Sequence, residues 1–177
     1  MVFVRCCLKG FNTCAAALLG KLAMYVFDIL KRRRALKQLA QRYHADDALS
    51  ADDISALSAA VSGLDAAQGL RFCMDSGAFL LEMLHEYARS RKDEEIARLV
   101  RAGDMRGTVI CAHSLKSMSR TVGLTGLAEF SAQLQRAAEA GSAADVRRAS
   151  VRVINLYRKT AAQIERLPNA GRDCNDR

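Results

Sequence analysis

Residues 103–123 read GDMRGTVICAHSLKSMSRTVG, and this stretch decides the fold. Gly103 takes up the left-handed backbone that ends one helix, and Asp104 accepts hydrogen bonds from the free N–H groups that open the next. At about 100° per residue, Cys111, Leu115, Met118 and Val122 form a narrow apolar stripe. Gly123 supplies a stop. The stretch is therefore one amphipathic helix that needs a core to bury its stripe, with His113 roughly opposite that core.

Outward from this helix the same punctuation recurs. Asp75-Ser76-Gly77, Val122-Gly123 and Ala140-Gly141-Ser142 interrupt apolar stripes at short intervals, and Ser142 with Asp145 forms an Asp variant of the capping box. The reading predicts a short helix near residues 54–72, then longer ones at about 76–101, 105–122, 124–140 and 143–167. Leu80, Met83, Leu84 and Tyr87 would supply one core face, Leu127, Phe130 and Leu134 another, and Val146, Val153, Ile154 and Leu156 a third. Connections this short join only neighbouring antiparallel helices, so the expected fold is all-α, an antiparallel up-down four-helix bundle.

The whole chain has 177 residues, half of them hydrophobic, with one Pro and no Trp, which suits one Ala- and Leu-rich helical domain with an appendage. Its net charge of +8 is uneven. Residues 1–50 hold nine basic and three acidic side chains, whereas the remainder is nearly balanced. The first fifty residues read as a basic amphipathic extension with an additional helix at about 15–43, followed by the helix-capping stretch ADDALSADD at 45–53. Residues 51–169 form the bundle, and 170–177 a disordered tail.

Lys21 and Asp28 interrupt the apolar N-terminal run, which is too short for a membrane span of about 18 or more residues. Residues 11–43, with the cluster Lys31-Arg32-Arg33-Arg34, would instead rest on anionic lipid. Cys6 and Cys7 permit acylation there. Few aromatics interleave with these charges, so no specific nucleic-acid reading is expected. The six cysteines make neither a C-x-x-C pair nor a regular framework, as in reduced cytoplasmic chains. The expected location is the cytoplasm, at the inner membrane surface if the basic segment attaches.

His113 carries the chemistry. Lys116 and Ser117 follow at i+3 and i+4, Arg120 lies one heptad after it and Arg106 one heptad before. These cations would neutralise a phosphoryl group on the ring nitrogen, which is the main electrostatic demand of phosphoryl transfer. A small side chain at Ser117 leaves room for another protein's active site. His44 and His85 lack this setting and read as surface or boundary residues; Cys111, on the core stripe, reads as a packed thiol.

The segment Ala112-His113-Ser114-Leu115-Lys116-Ser117 resembles the H-x-L-K-G/S motif of histidine-containing phosphotransfer (HPt) domains in multistep two-component phosphorelays. Gly123 follows at the expected distance, and the likeness extends over residues 54–167. It implies that His113 accepts the phosphoryl group, that Lys116 helps hold it, and that Gln135, on the adjacent helix, hydrogen-bonds and orients His113. Ser117 stands where the family usually has Gly. Arg120 stands at a usually small position. The resemblance implies a carrier, with no catalytic turnover of its own, between receiver domains of a hybrid sensor kinase and a response regulator. Ile110, Arg106, Ser117 and Arg120 would dock the receiver. No cofactor is expected in this chain, because the receiver would supply Mg2+. Two readings compete: a helical adaptor that binds receivers without being phosphorylated, and a lipid- or nucleic-acid-binding protein acting through residues 1–50.

Overall fold

The computed structural model describes residues 49–168. The predicted helix at 15–43, the Lys31–Arg34 cluster, His44, Cys6, Cys7 and the tail at 170–177 lie outside the described residues. Those described form seven helices: α1 (Ala51–Ala60), α2 (Ala66–Phe72), α3 (Gly77–Arg89), α4 (Lys92–Ala102), α5 (Met105–Thr121), α6 (Thr125–Glu139) and α7 (Ala143–Ile164). No strand occurs among them.

The last five helices make the four-helix bundle, with α3 and α4 together filling one position. α4 packs along α5, α5 along α6, α6 along α7, and α7 returns to α3 and α4. This neighbour-to-neighbour order follows from the tight turns. Gly103, at φ 67°, ends α4, and Asp104 caps α5 by accepting from Gly107 N at 2.7 Å. Ser142 likewise accepts from Asp145 N at 3.3 Å at the start of α7. Most of the expected core is buried, including Leu80, Leu84, Tyr87, Cys111, Leu115, Val122, Leu127, Leu134, Val146 and Val153. Met83, Met118, Phe130, Ile154 and Leu156 are half-buried and pack against that core.

Two predicted helices are each divided. The helix expected at 76–101 breaks between Arg89 and Lys92, where Arg91 takes a left-handed backbone at φ 46°. No Gly or Pro marks the break, and such a conformation costs a non-Gly residue about 1–2 kcal/mol. A tertiary contact offsets it. The buried Tyr157 hydroxyl, from α7, donates to the Tyr87 carbonyl at 2.6 Å, and Ser90 Oγ donates to the same carbonyl at 2.7 Å. The rings of Tyr87 and Tyr157 stand 5.3 Å apart, and the Tyr87 hydroxyl lies 2.9 Å from the buried Ser119 hydroxyl on α5. Three elements thus meet at the break with their polar groups paired, as burial requires.

The helix expected at 54–72 divides into α1 and α2 because Gly63 turns the chain at φ 78° and Asp65 caps α2 through Gln68 N at 2.9 Å. Asp65 N donates to Gly123 O at 2.9 Å, which docks α2 against the α5–α6 turn. His85, expected at the surface or boundary, is buried, and its Nε2–H donates to the Pro168 carbonyl at 3.0 Å. That bond fixes the ring's tautomer and ties the end of the described chain to α3. Among the described residues no helix is long and apolar enough to cross a membrane.

Candidate functional site

The site is built on α5, whose seventeen residues hold Arg106, Lys116 and Arg120 and no acidic side chain. Cys111, Ala112 and Leu115 are buried in the bundle. That anchors the helix, so its opposite side faces solvent. Arg106, Ile110, His113, Ser117 and Arg120 are all exposed. Arg106, His113 and Arg120 fall within about 40° on the helix, with each arginine's Cα about 10 Å along the axis from that of His113. That spacing is close to the Debye length of about 8–10 Å, so both arginines contribute to the potential at His113.

Lys116 lies on the flank of α5 that meets α6. Its ammonium donates to Gln135 Oε1 at 2.9 Å, and Gln135 Nε2 donates to Glu139 Oε1 at 2.7 Å. The expectation that Gln135 holds the His113 ring is corrected here. Its carbonyl accepts from the Lys116 ammonium and its amide N–H donates to the Glu139 carboxylate, both charge-assisted bonds. The structure brings Lys116 and Gln135 together, and it places no hydrogen bond between Gln135 and His113.

Ser117 Oγ donates to the His113 carbonyl at 3.1 Å, and Thr121 Oγ1 donates to the Ser117 carbonyl at 3.2 Å. The serine hydroxyl is thus folded back on the helix and does not project across the imidazole. Ile110, 62% exposed, is the one large apolar side chain on α5 open to solvent. Sequence reasoning overlooked Glu139, although its i, i+4 spacing from Gln135 was a usable signal. No group of three His, Cys, Asp or Glu is placed to hold a metal ion among the described residues.

An exposed histidine at mid-helix, in a cationic field on a four-helix bundle, is accompanied by a direct comparison: the family model of the Hpt domain matches residues 78–170, just over half of the chain. The chain belongs to the HPt domain family. The match begins at α3 and takes in the whole bundle, leaving α1 and α2 before it. No curated protein and no solved structure matches the chain. Membership assigns it a phosphotransfer role in phosphorelay signalling, with receiver domains as the class of partner.

The bundle holds His113 on the solvent-facing side of α5. Behind this face, burial pushes the Cys111 thiol up to about 11, so it stays protonated at neutral pH.

Proposed function

We propose that this protein carries a phosphoryl group on His113 between receiver domains, taking it from the aspartyl phosphate of a hybrid sensor kinase and passing it to the aspartate of a response regulator. The supporting observation is the placement of His113: exposed, at the centre of a helix whose charged residues are all basic, between Arg106 and Arg120. In the transfer, the lone pair of a neutral ring nitrogen attacks phosphorus. An N–P bond forms, the P–O bond to the receiver's carboxyl group breaks, and the carboxylate leaves with the electron pair. The reverse sequence delivers the group onward.

Each neighbour has a role in this reading. Lys116, one turn from His113, pairs with the phosphoryl oxygens when they arrive. Ser117 leaves open the approach of the receiver's active site, while Arg106 and Arg120 attract that acidic pocket and bias partner choice. Ile110 supplies the apolar contact, since a few such anchors carry most of the energy of an interface. Mg2+ belongs to the receiver, whose carboxylates hold it, and the chain contributes no cofactor.

The test is transfer of radiolabelled phosphoryl from a panel of phosphorylated receivers to the full chain and to its His113→Gln variant. Acid-labile, alkali-stable label on the wild type and none on the variant is the expected result. Receiver binding without label on either protein would instead establish an adaptor. Function that survives His113→Gln but is lost on deleting residues 1–50 would assign the activity to the basic segment.

A further inference from the structure

Lys116, Gln135 and Glu139 form a chain of three side chains across the α5–α6 seam, with bonds of 2.9 and 2.7 Å. A primary amide presents an acceptor at one end and donors at the other, and a half-turn exchanges them. Between an ammonium and a carboxylate only one orientation satisfies both ends. Glu139, one helical turn beyond Gln135 on α6, therefore fixes which end of the amide Lys116 meets. It also polarises that amide, strengthening the carbonyl as an acceptor.

A phosphoryl group on His113 would compete with Gln135 for the same ammonium. An ammonium has three N–H donors, so the competition is over where the Lys116 head group sits: to reach a phosphoryl oxygen it leaves the α5–α6 seam, and the strength of the bond it leaves there is subtracted from the bond it gains. Glu139 is exposed at the last position of α6. There it acts on Lys116 without contributing to the core.

We propose that Glu139 is a positioning residue of the phosphotransfer site: through Gln135 it holds the Lys116 ammonium in the unphosphorylated protein and so limits how far transfer to His113 proceeds. The proposal rests on the reading of His113 as phosphoacceptor. No covalent step is added, because only the hydrogen-bond partner of Lys116 changes.

The decisive experiment is a double-mutant cycle on the full chain, reading the phosphoryl equilibrium with a labelled receiver domain. Glu139→Ala is expected to raise the phosphorylated fraction, with the equilibrium constant increasing about fivefold, the size of one ordinary net hydrogen bond, as suits an exposed pair. Glu139→Gln, which still offers an acceptor, should fall between the two. In a Gln135→Ala background Glu139→Ala should have no effect. An equal increase in that background would reduce the effect to loss of a nearby negative charge and overturn the relay.

A second measurement needs no phosphorylation: the rate of reductive methylation of Lys116, followed by peptide mass spectrometry. Glu139→Ala and Gln135→Ala should each accelerate it, and the double variant no further. An unchanged rate in Glu139→Ala would overturn the proposal. If the rates respond but no receiver labels the wild type, the acceptor reading of His113 fails, and the role of Glu139 in transfer falls with it.

Discussion

Gly123→Ala tests how the N-terminal helices are tied to the bundle. Gly123 sits at φ 84° in the turn between α5 and α6, and its carbonyl accepts from Asp65 N at 2.9 Å. A left-handed backbone costs a residue with a Cβ about 1–2 kcal/mol. Here the added methyl would also fall on the Asp65 carbonyl oxygen, well inside contact distance, with Gly69 N only 3.2 Å away. Both obstacles are backbone, so relief requires α2 to move off the turn. That movement would break the Asp65–Gly123 hydrogen bond, worth about 1 kcal/mol. With the lost packing of Gly69 and Leu70, the total is about 3–5 kcal/mol.

Gly103→Ala is the internal control. Gly103 is also left-handed, at φ 67°, but a Cβ there meets nothing within 4 Å. It should therefore lose only the conformational term of about 1–2 kcal/mol. Urea unfolding followed by circular dichroism measures both, and a slope of about 2 kcal/mol/M converts the difference into a midpoint about 1 M lower for Gly123→Ala. Equal midpoints would refute the reasoning, because the steric contact with Asp65 would then contribute nothing.

Three further outcomes follow from the same structure. Cys73 and Cys111 are buried with their thiols raised by burial, so neither should be alkylated by iodoacetamide in the native protein at pH 8, and both should react in urea, as peptide mass spectrometry would show. Burial likewise raises the phenols of Tyr87 and Tyr157 above the ordinary value of 10.0. Above that pH the unfolded chain releases protons that the folded one retains, so stability falls as pH rises through about 10, and absorbance at 295 nm should show these two tyrosines ionising together with unfolding. Replacing Ile110, exposed on α5, with Ala should slow transfer from a receiver about tenfold while changing stability by less than about 0.5 kcal/mol, measured by single-turnover transfer and urea titration.

The periodicity of residues 105–122 and the Gly103-Asp104 and Ser142-Asp145 pairs were enough to place α5, α6 and α7, because caps and apolar stripes are local properties of the chain. His113 was legible for a related reason. Its exposure follows from the stripe of Cys111 and Leu115 on the opposite side of the same helix. The break between α3 and α4 was not legible, since the sequence Arg89-Ser90-Arg91 has no local reason to leave the helix. What holds it open is the hydroxyl of Tyr157, nearly seventy residues away. The burial of His85, read as a surface or boundary residue, was not legible for the same reason, because its partner is the carbonyl of Pro168 at the far end of the described chain.

The sequence by itself therefore determined α5, α6 and α7, their order and the face that carries His113, all of which depend on spacings within a few turns. Only the tertiary structure decided what Gln135 touches. Once α5 and α6 are packed, the amide lies between Lys116 on the neighbouring helix and Glu139 on its own, and its hydrogen bonds go to those two charged partners. A hydrogen-bonding side chain goes to the strongest partner within reach, and reach is set by how two helices pack, which no spacing along one of them specifies.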